Sequence, residues 1–375
     1  MSTIPGINIG AVERELAAIW REEAAGDASH EERAVTRARV MTLIVYGEKK
    51  DFLPQFDEII AEISSLHPAR ALVLQADREG SGSGATSHVS AVCQVQGPRS
   101  KQVTCEQVTF AAEGEAINDL PSGVAQLLAP DTPVFVWLLG IPEPGDYVFN
   151  HILPMADRVI LDSSGSPHPG RDLVKLAKTF REHPHWTSLT DFTWQRLTPW
   201  REMLANFYDG VDHRSYLDRV DTVTIEFNPH AGVDGITPRS MLLAAWLAER
   251  LGWKIDSDAS RRDGDAELFA FTSSSGPVTI RFVPVVHEGM DGLLSSITLG
   301  VSSAPTAAFS VRREARSRLS SGIVLDGHAH SSRVLAYRSR TVGELLSTEL
   351  GINRRDVLYE AALAIAGQMG EVDLG

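Results

Sequence analysis

The sequence predicts an α/β protein. An N-terminal, mostly parallel sheet sandwich with one hairpin is followed by a C-terminal α+β domain with an antiparallel sheet. Short β-branched runs alternate with amphipathic segments through residues 40–181, the rhythm of parallel strands covered by helices. From about residue 267, short strands follow one another at hairpin spacing. At 375 residues the chain exceeds one ordinary domain. We expect a first domain over 1–195, a bridging helix over 196–215 and a second domain over 216–375.

The first helix is expected over residues 9–25, where Ile9, Val12, Leu16 and Ile19 recur at helical spacing. The run Val40 to Tyr46 is apolar and short, as a buried strand requires. Residues 51–65 carry a helical apolar face, and His67-Pro68 stops it because the residue before proline avoids helical geometry. A second strand covers Ala71 to Leu74. The Gly/Ser-rich stretch 79–87 reads as a phosphate cradle or as a surface loop. No helix clearly follows it, and the established glycine motifs are absent.

Residues 88–96 and 101–110 alternate like a hairpin, and a symmetric loop would set Cys93 opposite Cys105. That pair reads as a redox switch or as two small buried hydrophobes. Helices are expected over 120–128, 147–155 and 172–181, with strands over 134–139 and 158–161. A helix runs from Pro199 to Tyr208 with Thr198 as its N-cap. Beyond it lie a strand over 222–227 and an apolar helix over 239–251. Strands near 268–272, 278–282, 295–301, 306–312, 322–325 and 333–337 follow, closed by helices over 342–350 and 356–368.

Charge narrows the function. Lys and Arg number 35 against 49 Asp and Glu, a net of −14. Such a surface is a poor general nucleic-acid binder, since phosphate binding rests on clustered cations. Two cysteines cannot form a four-thiolate zinc site or a disulfide framework. No apolar run reaches the ~18–20 residues of a membrane helix. The N-terminus does not read as a secretory signal, so a cytoplasmic location is expected.

Six segments occur in order over roughly residues 37–210: Arg39 to Leu43; His67-Pro68-Ala69-Arg70; Cys105 to Val108; Leu127 to Trp137 through Asp131 and Pro133; Asp157 to Ser163; and Leu197 to Arg201. Together they resemble OpcA, the glucose-6-phosphate dehydrogenase assembly protein family. The resemblance rests on His67, Pro68, Arg70, Glu106, Asp131, Pro133, Trp137 and Asp162. It implies a non-catalytic partner that assists assembly of glucose-6-phosphate dehydrogenase and activates it. Such a protein supports NADPH supply through the oxidative pentose phosphate pathway without a cofactor of its own. Here Leu138 follows Trp137, where the family often has a second tryptophan.

Other candidates come from the residues themselves. Trp186, Trp194, Arg196, Trp200 and Arg201 concentrate the anchor types of partner surfaces, though tryptophans at such spacing also pack cores. Asp162 and Ser163 end a strand where open α/β sheets bind ligands, with Arg158 and Arg171 nearby in sequence. Such a strand end reads as a sugar-phosphate site, in an enzyme or a sensor, or as the routine polar loop at a strand end. His183-Pro184-His185 and Asp326 to His330 do not complete a metal site locally, and none is expected. The basic run Arg312 to Arg318 reads as a docking patch or a solvated loop. The oligomeric state is open.

Overall fold

The computed structural model describes residues 8–26, 40–95, 102–143, 145–182, 188–233, 235–352 and 354–374. They form two compact units that interleave along the chain. The first comprises Met1–Asp162, Pro184–Thr190 and Thr341–Arg355; the second comprises Ser163–His183, Asp191–Arg340 and Asp356–Gly375.

The first sheet has seven strands: β1 (Met41–Glu48), β2 (Ala69–Asp77), β3 (Ala85–Val95), β4 (Gln102–Glu113), β5 (Val134–Leu138), β6 (Arg158–Leu161) and β7 (Leu189–Asp191). Their order is β3-β4-β2-β1-β5-β6-β7. β1 runs parallel to β2 and β5, β2 parallel to β4, and β5 parallel to β6; β3 is the antiparallel addition. Ile44 pairs with Leu72 on one side and Val136 on the other, all fully buried. That is why β1 and β5 read as unbroken apolar runs.

Six helices belong to this half of the sequence or its sheet: α1 (Ile9–Gly26), α2 (Phe56–Leu66), α3 (Leu120–Leu127), α4 (Tyr147–Ile152), α5 (Pro169–Glu182) and, returning late in the chain, α10 (Val342–Leu350). α5 falls in the second unit and α10 in the first. α10 packs against α2, and His67 Nε2 lies 2.9 Å from Ser347 Oγ.

The second sheet has eight strands: β8 (Thr222–Phe227), β9 (Lys254–Asp263), β10 (Ala266–Ser273), β11 (Gly276–Pro284), β12 (Leu294–Val301), β13 (Ala307–Ala315), β14 (Arg318–Leu325) and β15 (His328–Ala336). Their order is β15-β14-β13-β12-β8-β11-β10-β9, antiparallel except for β8 with β11. The remaining helices are α6 (Phe192–Arg196), α7 (Thr198–Asn206), α8 (Val211–Leu217), α9 (Pro238–Arg250) and α11 (Val357–Gly370). α11 packs on α5 and α9. Gly367 permits the first contact, since a Cβ there would lie 2.5 Å from Ala177 Cβ.

The predicted fold class is the observed one, with local corrections. α2 starts at Phe56, because residues 49–51 form a separate tight turn held by Glu48 N donating to Asp51 Oδ2 at 3.2 Å. α7 begins at Thr198 itself, with Leu197 at the cap; the Thr198 hydroxyl accepts from Arg201 instead. The hairpin register pairs Val92 with Cys105 and Cys93 with Thr104, so the cysteines are not opposite one another. The expected loop at 97–101 lies outside the described residues. β9 and α8 had no expectation; β9 alternates weakly and is mostly exposed.

Candidate functional site

The residues that carry the family resemblance are largely framework. Arg70 is buried, donating from Nε to Glu106 Oε2 at 2.6 Å and from Nη1 to the Leu127 carbonyl at 2.8 Å. Its Nη1 also reaches Glu13 Oε1 at 3.4 Å. The Pro68 and Pro133 carbonyls accept from Val40 N and Thr42 N, tying strand starts together. Asp131 takes a left-handed turn conformation at φ 58°. Trp137 is buried and stacks on Phe56 at 6.0 Å. Burial lowers the His67 pKa, opposed by its Ser347 contact.

The expected ligand group does not assemble around Asp162. Arg158 stands at the start of β6, the end opposite Asp162, and is buried against Glu349. The Arg158 guanidinium also donates to Ser188 Oγ and to the carbonyls of Ile352 and Arg354. Ser163 is buried, its hydroxyl donating to Asp191 Oδ2 at 2.5 Å. Arg171 is exposed near the start of α5.

The aromatic anchors are inside the second unit. Trp194 and Trp200 are both buried. Trp194 Nε1 donates to Asp356 Oδ2 at 2.8 Å, and Arg201 lies over its ring at 3.6 Å. Burial pulls the Arg201 pKa down to about 10, against the pull of Asp356. Arg196 Nη1 donates to Ser164 Oγ. Trp186, His183 and His185 lie outside the described residues. Among the described residues no group of three or more His, Cys, Asp or Glu is placed to hold a metal.

The Gly/Ser-rich loop after β2 serves an internal anion. Gly82 N donates to Glu113 Oε2 at 3.1 Å, and a side chain on Gly82 would collide with that carboxylate. Of the two readings of this stretch the structure shows the loop, with the Gly82 N–H turned to an internal carboxylate, Glu113.

A site sequence reasoning missed sits where parallel sheets of this kind bind ligands. β1 lies between β2 and β5, so the sheet reverses direction there, and a crevice opens beyond the strand ends. It encloses about 530 Å³ lined by Tyr46, Gly47, Glu48, Lys50, Asp51, Arg78, Glu79, Glu143 and Asp146 among others. A Cβ on Gly47 would lie 2.8 Å from Leu139 Cβ, so glycine lets β1 pass the β5 exit closely.

Arg78 organises this crevice. Its Nε donates to Glu48 Oε1 at 2.7 Å, and its Nη2 donates to Asp146 Oδ2 at 2.7 Å and to the Tyr46 hydroxyl at 2.9 Å. The Tyr46 hydroxyl donates onward to Asp146 at 3.1 Å. Asp146 Oδ1 also accepts from Phe149 N, capping α4. Burial, then the Asp146 charge, pushes the Tyr46 phenol above its ordinary range. Burial likewise raises the Asp51 pKa. Five carboxylates, from Glu48, Asp51, Glu79, Glu143 and Asp146, face two cations, Lys50 and Arg78. No long helix begins directly after β1 to offer its N–H groups, since α2 starts only at Phe56. The lining carries more carboxylates than cations. The sequence hid it because Tyr46, Arg78 and Asp146 are 32 to 100 residues apart.

Residues 60–178 match the family described as the glucose-6-phosphate dehydrogenase subunit N-terminal domain, and residues 187–363 match its C-terminal domain. The chain belongs to the OpcA family. Over 319 residues it is 26% identical to a Synechocystis sp. protein named as an OxPP cycle protein, OpcA, covering 81% of this chain and 64% of that one. A Nostoc punctiforme OpcA is 29% identical over 211 residues, 56% of this chain and 43% of that relative. This OpcA-family chain therefore spans less than two thirds of either relative's length. Among solved structures, a glucose-6-phosphate 1-dehydrogenase from Mycobacterium avium shares the fold, with TM-score 0.52, 9% identity, and 88% and 90% of the two chains covered. No helix among the described residues is long and apolar enough to cross a membrane.

Proposed function

We propose that this chain is a non-catalytic assembly factor and activator of glucose-6-phosphate dehydrogenase in the oxidative pentose phosphate pathway. One observation carries the non-catalytic part. The crevice in which a fold of this class receives a dinucleotide is lined by five carboxylates and cross-tied by Arg78. A pyrophosphate entering there meets like charge. Family membership supports the identity of the partner. Activation follows by linkage: a partner that binds the active enzyme state more tightly raises its population by the ratio of the two affinities.

The purified chain mixed with the dehydrogenase of the same organism is the test. Sedimentation should show a complex, and the enzyme's kcat or KM should change on addition. The chain alone should neither bind NADP nor reduce it with glucose 6-phosphate. Unchanged sedimentation and kinetics, or turnover by the isolated chain, would overturn the proposal.

A further inference from the structure

The helices covering the second unit's sheet gather on β13, and the His213 ring of α8 also lies 6.2 Å from that of His330 on β15. Phe207 and Tyr208, just past α7, and His213 and Tyr216 of α8 gather on Phe309 of β13, with ring centroids 5.0 to 5.8 Å away. β14 and β15 lie beyond them, and β15 ends the strand order. All nine residues of β15 are exposed. They include Val334 at 62% and Leu335 at 46%, adjacent residues that strand alternation sends to opposite faces. A long edge strand bearing apolar side chains is ordinarily shortened, covered or guarded by charge. Here Arg333 is the sole charged residue in the strand apart from its histidines.

Beside this edge runs a groove of about 640 Å³. Ile323, Arg333 and Leu335 line its sheet side, and Met203, Phe207 and His213 its helical side. No carboxylate lines it, in a chain with 49 Asp and Glu. Its ionisable groups are His213, His330 and Arg333. The flanking stretch 312–340 holds seven arginines against two carboxylates, Glu314 and Asp326. Arg313 and Arg316 donate to backbone carbonyls, which hold the guanidinium groups without neutralising them.

We infer that this groove and the β15 edge dock a carboxylate-bearing, apolar segment of a partner protein. Resting on the reading above, that partner is the dehydrogenase. Charge complementarity selects it over a second copy, because two-fold pairing of this edge would set one cationic patch against another. Val334 and Leu335 supply the apolar area a partner can bury, since Met203, Phe207 and Ile323 are already buried in the free chain, and Arg333 fixes register by pairing with a carboxylate.

Binding of full-length variants to the dehydrogenase, followed by sedimentation at low and high salt, tests this. Arg333→Glu and the double variant Val334→Asp/Leu335→Asp change exposed side chains, and circular dichroism checks that they fold. Each should weaken the complex at least about tenfold, the loss typical of a central anchor. Arg333→Lys should retain most of the affinity. Arg261→Glu, an equal charge reversal on β9 at the opposite edge of the sheet, should leave binding unchanged. Wild-type affinity in both edge variants would overturn the inference while leaving the assembly reading intact. So would a wild-type dimer of this chain that the edge variants dissolve. Failure of the wild-type chain to bind the dehydrogenase would overturn both.

Discussion

Arg70 and Glu106 offer a sharp test of how the first unit is held together. The two side chains are 3% and 4% exposed, and their 2.6 Å contact joins neighbouring strands β2 and β4. Arg70→Met removes the guanidinium and leaves Glu106 buried without it. Breaking such a pair from one side costs about 3–5 kcal/mol, because the remaining charge stays desolvated. The Leu127 carbonyl also loses its 2.8 Å donor, which adds about 1 kcal/mol or more. Arg70→Met/Glu106→Met removes both charges and should recover most of the pair's cost. The coupling energy is then at least about 2 kcal/mol, with the double variant more stable than the sum of the singles. Urea unfolding should be read by hydrogen exchange in peptides from β2 and β4, since two units need not melt in one transition. A single variant within about 1 kcal/mol of wild type, or a strictly additive double, would refute the account of this pair as a desolvated, mutually dependent unit.

Three further outcomes follow from close contacts and burial. Gly367→Ala places a Cβ 2.5 Å from Ala177 Cβ, so it should lower thermal stability even though alanine favours helices by about 1 kcal/mol; Ala177→Gly in the same chain should restore part of the loss. Gly47→Val should destabilise the first unit by about 1–3 kcal/mol through its clash with Leu139, measured by urea unfolding of the same β2 and β4 peptides. His67 has a folded pKa below its ordinary 6.5, so its neutral form is favoured on folding. Its contribution is present above 6.5 and is lost as pH falls below that value. His67→Gln should therefore flatten the fall in stability between neutral and mildly acidic pH, and an unchanged slope would contradict it.

Periodicity found the buried strands because β1 and β5 sit mid-sheet and need apolar residues on both faces. It found α9 for the same reason, nine of its thirteen residues being buried. It missed β9, whose pattern is mostly exposed and so lacks a two-residue alternation. It set the cysteines one register step apart from their true positions, because a strand register depends on the turn as well as on the pattern. Tryptophan spacing drew attention to Trp194 and Trp200, but neither is free to anchor a partner: one is closed under Arg201 and the other is buried facing Arg313. The interleaving of the units, with α5 and α10 each placed away from their sequence neighbours, leaves no local trace in composition.

The distribution of charge links the two proposals physically. A chain with a net charge of −14 must hold most of its cations in ion pairs or spread them thinly if its surface is to stay acidic. In the first unit that is what happens: Arg70, Arg78 and Arg158 are each paired with carboxylates, and the strand-end crevice keeps an excess of negative charge. Residues 312–340 hold more arginines than carboxylates, with Arg313 and Arg316 bonded to neutral carbonyls and Arg333 lining a groove that no carboxylate lines. Concentrating arginines there raises the energy of the free chain through mutual repulsion of the guanidinium groups. A carboxylate-bearing partner relieves that repulsion, while a phosphate in the acidic crevice would add to the negative excess already there. Complex formation should accordingly weaken as salt rises, and Arg333→Glu should reduce that salt dependence as well as the affinity.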